Sequence, residues 1–113
     1  MDNEIALSII SKYISLKCPE PKIVMDNEEL YILSTSRWAA LEIFKSVQRE
    51  LMRIPWITGE EQESAVDIIN NFIFDMNRYV EASDSRRKKK MFMVSRDTAF
   101  DILETLDREY YGV

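Results

Sequence analysis

The chain has 113 residues, enough for one domain with a buried core, and its 46% hydrophobic content argues against wholesale disorder. It contains no histidine, one cysteine and two glycines, which excludes a histidine-activated nucleophile, a paired-cysteine metal site and a glycine-rich phosphate loop. The formal net charge of −5 is unevenly distributed, because residues 83–96 carry +5 within an otherwise acidic chain.

The first predicted element is a helix over about residues 3–17, where apolar side chains recur at spacings of three and four. Pro19 and Pro21 end it, because proline disfavours helical geometry in the residue before it. Its acidic start and interspersed polar residues are typical of neither a signal peptide nor a membrane span. We therefore expect a cytoplasmic protein with no membrane partner, and a spectator role for Cys18.

Residues 22–33 have two interpretations. Two short apolar runs around an acidic turn predict a β-hairpin, which is the first choice. Alternatively, Asp26 and Glu29 have the spacing of an N-cap residue and its N3 partner, which predicts the start of a helix.

Two longer helices are predicted next, over about residues 36–53 and 59–82. Pro55 ends the first, and Thr58 with Glu61 forms a capping box at the start of the second. The second helix has a broad apolar stripe, so we expect it at the centre of the fold.

A basic run follows, and its five consecutive cations predict an exposed loop over residues 83–90. The run consists of Arg86, Arg87, Lys88, Lys89 and Lys90. Residues 91–94 are apolar and predict a short strand or an extended connector, and Ser95 is the predicted cap of a last helix. The expected fold is therefore one mainly α domain over residues 1–113, a compact bundle of about four helices with these two optional β elements.

Four carboxylates resemble a known metal site. Glu60, Glu63, Glu81 and Asp84 have a spacing similar to the ExxE…ExxD pattern of the MazG-like nucleotide pyrophosphohydrolases, which are all-helical. The resemblance implies Mg²⁺ binding beside a nucleoside triphosphate. However, an unbroken helix would separate the two pairs by about 27 Å, too far to share a metal ion. We therefore expect no metal ion, no cofactor and no catalytic residue.

Two groups of residues are candidates for binding. The basic run can contact phosphates or an acidic partner, and Phe92 beside it can stack on a base. Trp56, Phe74 and Phe100 lie off the main apolar stripes and form a candidate partner-binding patch. A second copy of the chain can also cover Phe74 and the broadly apolar helix predicted over residues 59–82, which predicts a homodimer.

These observations favour a small cytoplasmic protein-interaction module, an adaptor or regulator without catalytic activity. A nucleic-acid-binding protein that uses residues 86–90 is the alternative. A Mg²⁺-dependent enzyme of the pyrophosphohydrolase type is the third, remote hypothesis.

Overall fold

The computed structural model describes residues 2–22, 24–53 and 61–111, and within these ranges the chain is a bundle of four helices without a strand. The helices are α1 (Asn3–Lys17), α2 (Asn27–Met52), α3 (Ala65–Ala82) and α4 (Arg86–Tyr111). The predicted mainly α fold of about four helices is confirmed, and α1 has the predicted bounds. None of the helices in the described ranges carries an apolar stretch that is long enough to cross a bilayer.

The β-hairpin predicted for residues 22–33 is wrong. Asp26 caps a helix instead, because its carboxylate accepts a hydrogen bond of 2.8 Å from the backbone N–H of Glu29. The helical alternative for this segment is therefore the correct one. As a result α2 begins at Asn27, well before the predicted start at residue 36.

The loop predicted over residues 83–90 and the strand predicted near 91–94 are also wrong, because α4 begins at Arg86 and includes the whole basic run. The Ser85 hydroxyl lies 3.4 Å from the backbone nitrogen of Lys88 and caps this helix. Ser95, the predicted cap, lies within α4 and donates 2.9 Å to the Met91 carbonyl. Lysine and arginine have good helix propensity, so a run of them continues a helix when neighbouring groups balance its charge.

The connection into α3 is fixed by a buried side chain of α1. The Asn3 amide nitrogen donates to the Glu63 carbonyl at 3.1 Å, and its oxygen accepts from the Ala65 N–H at 3.0 Å. Ser64 caps α3 by accepting from the Asp67 N–H at 3.2 Å. Thr58 of the predicted capping box is outside the described residues, but its predicted partner Glu61 is not helical. The predicted helix start near residue 59 is therefore wrong, because α3 begins at Ala65.

The central elements are α2 and α4, each of which packs against the other three helices, rather than α3 as the sequence suggested. They run parallel, because contacts join Tyr31 to Arg87 and, further along both helices, Ser36 to Thr98. On α4, Phe92 contacts α3 and Asp101 contacts α1. These two residues are nine positions apart, or about two and a half turns, so α1 and α3 flank α4 on opposite sides.

Small side chains and hydroxyl groups line the buried faces of α2 and α4. On α2, Ala39 and Ala40 are fully buried, and on α4 Ser95 and Ala99 are fully buried. The hydroxyls of Ser36 and Thr98 form a hydrogen bond of 3.0 Å between the helices. Because the distance between helix axes depends on the side chains in the contact, these residues allow α2 and α4 to approach closely.

We expect Ala40→Leu to reduce the free energy of unfolding by about 1–3 kcal/mol, because the larger side chain has no space at this contact. Urea denaturation followed by circular dichroism measures the change. Ala82→Leu is the matched control, since Ala82 is exposed at the end of α3 and the same substitution should leave the midpoint nearly unchanged there. Equal effects of the two substitutions would contradict a close contact at Ala40.

Candidate functional site

The basic run lies beside the first turns of α2. The Tyr31 hydroxyl donates 2.9 Å to the Arg87 carbonyl, and the charged groups of Arg87 and Lys90 lie 5.6 and 6.0 Å from the Tyr31 ring centroid. Lys90 also forms an ion pair with Glu28. These contacts from α2 explain why the run is helical, since cation–π and ion-pair interactions offset part of the repulsion among the five cations.

The same run gives the first turns of α4 a high positive charge. The first turn of α4 contains no acidic residue, so its cations add to the positive end of the helix dipole. All five side chains of the run are exposed. This end of α4 is therefore suited to an anionic group of a partner.

An apolar cleft between α2 and α4 adjoins the basic run. Its lining consists of Tyr31, Ser34, Thr35, Trp38 and Met91. The ring of Trp38 is 46% exposed and its centroid lies 6.4 Å from that of Phe72 on α3. Tyr31 also borders the adjacent recess, so the apolar and basic surfaces are continuous. Three cations of the run line this recess together with Asn27 and Glu28 of α2: Arg86, Arg87 and Lys90.

Two of the three residues of the predicted aromatic patch lie within the described residues, and both are exposed. Phe74 lies on α3 and is 62% exposed, with the Arg78 guanidinium 5.9 Å from its ring centroid. Phe100 lies on α4 and is 51% exposed. Trp56 falls outside the described residues. Sequence reasoning missed Trp38, because the cleft beside it depends on the approach of α4 and has no signal in the local sequence.

A buried polar cluster lies at the other side of α4. The Tyr13 hydroxyl donates 2.7 Å to the Asp101 carboxylate, and the Arg37 guanidinium donates 2.7 Å to the Cys18 carbonyl. Burial raises the pKa of the Tyr13 hydroxyl, and its hydrogen bond to Asp101 raises the pKa further. Burial also raises the pKa of the Cys18 thiol, more than the nearby Arg37 charge lowers it. A buried neutral thiol is a poor nucleophile.

The carboxylates of the metal-site pattern lie near opposite ends of α3. Glu63 precedes the helix, and its side chain accepts a hydrogen bond of 2.8 Å from the Asn71 amide. Glu81 lies in the last turn of α3, and Asp84 follows the helix. Because α3 is unbroken, Glu81 is about 27 Å from Glu63 along the helix axis. Glu60 is outside the described residues, and in the part of the chain that is described no three acidic or cysteine side chains gather as metal ligands.

Comparisons of this chain with protein-family models, curated proteins and solved structures gave no match. The basic run and the adjoining cleft are therefore interpreted from their own geometry.

We expect the protein to lose stability at alkaline pH through Cys18. Because the folded-state pKa of this thiol is raised, its contribution to the free energy of unfolding is complete below the ordinary thiol pKa of about 8.5 and falls as pH rises above it. Urea denaturation at a series of pH values from neutral to about 10 measures the decline. A Cys18→Ala variant should lose less free energy over this interval, and an identical decline in both proteins would contradict the interpretation.

Proposed function

We propose that this chain is a small cytoplasmic protein-interaction module, an adaptor or regulator without catalytic activity. The observation that carries the proposal is the apolar cleft at Trp38, bordered directly by the cations of α4. Aromatic, methionine and arginine side chains are the residues most enriched at protein interfaces. All three types meet here, at Trp38, Met91 and Arg87.

The chemistry of this surface defines its partner. An apolar side chain fits the cleft beside Trp38, and a neighbouring carboxylate can pair with Arg86 or Arg87 at the positive end of α4. The remaining surface is mostly acidic, because residues 1–82 carry 8 basic and 14 acidic side chains. An acidic partner is therefore repelled by the acidic surface and attracted by the cations of α4. This difference orients the partner as it approaches the protein.

We expect Trp38→Ala to weaken binding of the natural partner by about tenfold or more, because it removes the largest apolar side chain of the cleft. Partners recovered from host lysate after nuclease treatment are identified by mass spectrometry, purified and titrated against each variant by calorimetry. Ile5→Ala is the matched control, since Ile5 is 45% exposed on α1 and is not part of the cleft lining. A partner whose affinity is unchanged by Trp38→Ala would overturn the assignment of this site.

Nucleic-acid binding is the second candidate function, and the specific observation in its favour is a run of five exposed cations, two of which, Arg87 and Lys90, lie near the Tyr31 ring. The cations can neutralise phosphates, while the aromatic ring can stack on an unpaired base. The net charge of −5 opposes this function, since most of the surface repels a polyanion.

If the run binds single-stranded nucleic acid, a fourfold increase in salt should reduce affinity by roughly 100-fold for about five neutralised phosphates. Fluorescence anisotropy with labelled oligonucleotides measures this. Replacement of residues 86–90 by glutamine should abolish binding, whereas Lys12→Gln with Lys17→Gln, two exposed cations of α1, should not. Salt-independent binding would exclude this function for the run.

A further inference from the structure

The outward side of α4 carries a continuous exposed row of side chains that no other helix covers within the described residues. We name this row the outward stripe, and it comprises Arg86, Lys89, Met93, Asp97, Phe100, Glu104 and Asp107. Successive residues of an α-helix are rotated by about 100° around its axis. Each member of the stripe is therefore at least about 100° around the α4 axis from Thr98, which contacts α2. The stripe therefore includes none of the residues that line the Trp38 cleft, and it shares only Arg86 with the recess beside that cleft.

The charges of the stripe oppose the dipole of their own helix. Cations stand at its N-terminal end, where Arg86 and Lys89 meet a positive dipole, and acids stand towards its C-terminal end at Glu104 and Asp107. Isolated helices are stabilised by the reverse arrangement. Between the charged ends lie two large apolar side chains, Met93 at 42% and Phe100 at 51% exposure.

We propose that a second copy of this chain binds the outward stripe, with the two α4 helices antiparallel about a twofold axis. In this register Arg86 faces Asp107, Lys89 faces Glu104 and Met93 faces Phe100 of the second copy. All three pairs fit one register, because the spacing of the first three of these residues mirrors that of the last three. Residues 86, 89 and 93 are separated by three and then four positions, and residues 100, 104 and 107 by four and then three. The axis passes between Arg96 and Asp97.

The occupant is a second copy because the stripe is complementary to itself. One twofold rotation pairs both charged ends at once and joins Met93 to Phe100 twice, in contacts of the sulfur–aromatic type. It also brings the acids of one copy to the positive helix end of the other, which corrects the unfavourable charge placement. Arg86, Met93, Phe100 and Asp107 recur at intervals of seven, the repeat that keeps two packed helices in contact over their length. The contact is about 32 Å long.

The experiment measures the monomer–dimer equilibrium by sedimentation across the micromolar range for the whole chain. We expect Lys89→Glu and Glu104→Lys each to raise the dissociation constant by about tenfold or more, because each places like charges opposite one another twice in the dimer. An equimolar mixture of the two variants should form a heterodimer as stable as the wild-type dimer, since both pairs are restored. Both side chains are exposed, so neither change disturbs the core.

Apolar variants provide the second measurement and its control. Phe100→Ala should raise the dissociation constant by about tenfold or more, whereas Phe74→Ala, the same substitution at a similarly exposed position on α3, should change it by less than about twofold. A wild-type protein that is monomeric throughout the range would overturn the proposal. A mixture of the charge variants that associates no better than either alone would also overturn it. The residues changed on the stripe, Lys89, Phe100 and Glu104, line neither the Trp38 cleft nor the recess beside it, so these outcomes do not decide the proposed function.

Discussion

The close contact between α2 and α4 is the constraint on which the rest of the structure depends. Alanines and small hydroxyl residues line it, and the bond between Ser36 and Thr98 joins its two sides. Hydroxyl groups are tolerated there because Thr98 and Ser95 also satisfy backbone carbonyls of their own helix, at 2.8 and 2.9 Å. With these two helices placed together, α1 and α3 have only the flanking grooves in which to bury their isoleucines.

The parallel arrangement of α2 and α4 also determines where the chemistry of the surface lies. It brings two helix N-termini to the same end of the bundle, so Glu28 and Tyr31 of one helix meet Arg87 and Lys90 of the other. A helix beginning with five cations is stabilised locally by these neighbours. The arrangement leaves the outward side of α4 uncovered, and its basic and acidic ends are separated by Met93 and Phe100.

The apolar periodicity of the sequence predicted the fold class. Together with two prolines, it also predicted the limits of α1. Prediction from the sequence failed where the local structure is decided by a contact between residues that are far apart in the chain. The basic run was assigned to a loop because five cations repel one another, and Tyr31, which offsets that repulsion, lies 56 residues away from Arg87. The sequence signals for a hairpin and a helix at Asp26 were both valid, and only the tertiary position of α2 selects between them. The exposure of Phe74 and Phe100 follows from periodicity, but the cleft at Trp38 depends on the approach of α4 and has no local signal.

The separation of contacts along the chain has a consequence for synthesis. Ser36 meets Thr98 across 62 residues, and Tyr13 meets Asp101 across 88. Helix α4 supplies one side of both contacts, so the bundle cannot close around its core until α4 has left the ribosome. Non-local contacts of this kind slow folding, and the apolar faces of the first three helices stay exposed meanwhile. The nascent chain therefore exposes apolar surface that favours aggregation until α4 has been synthesised.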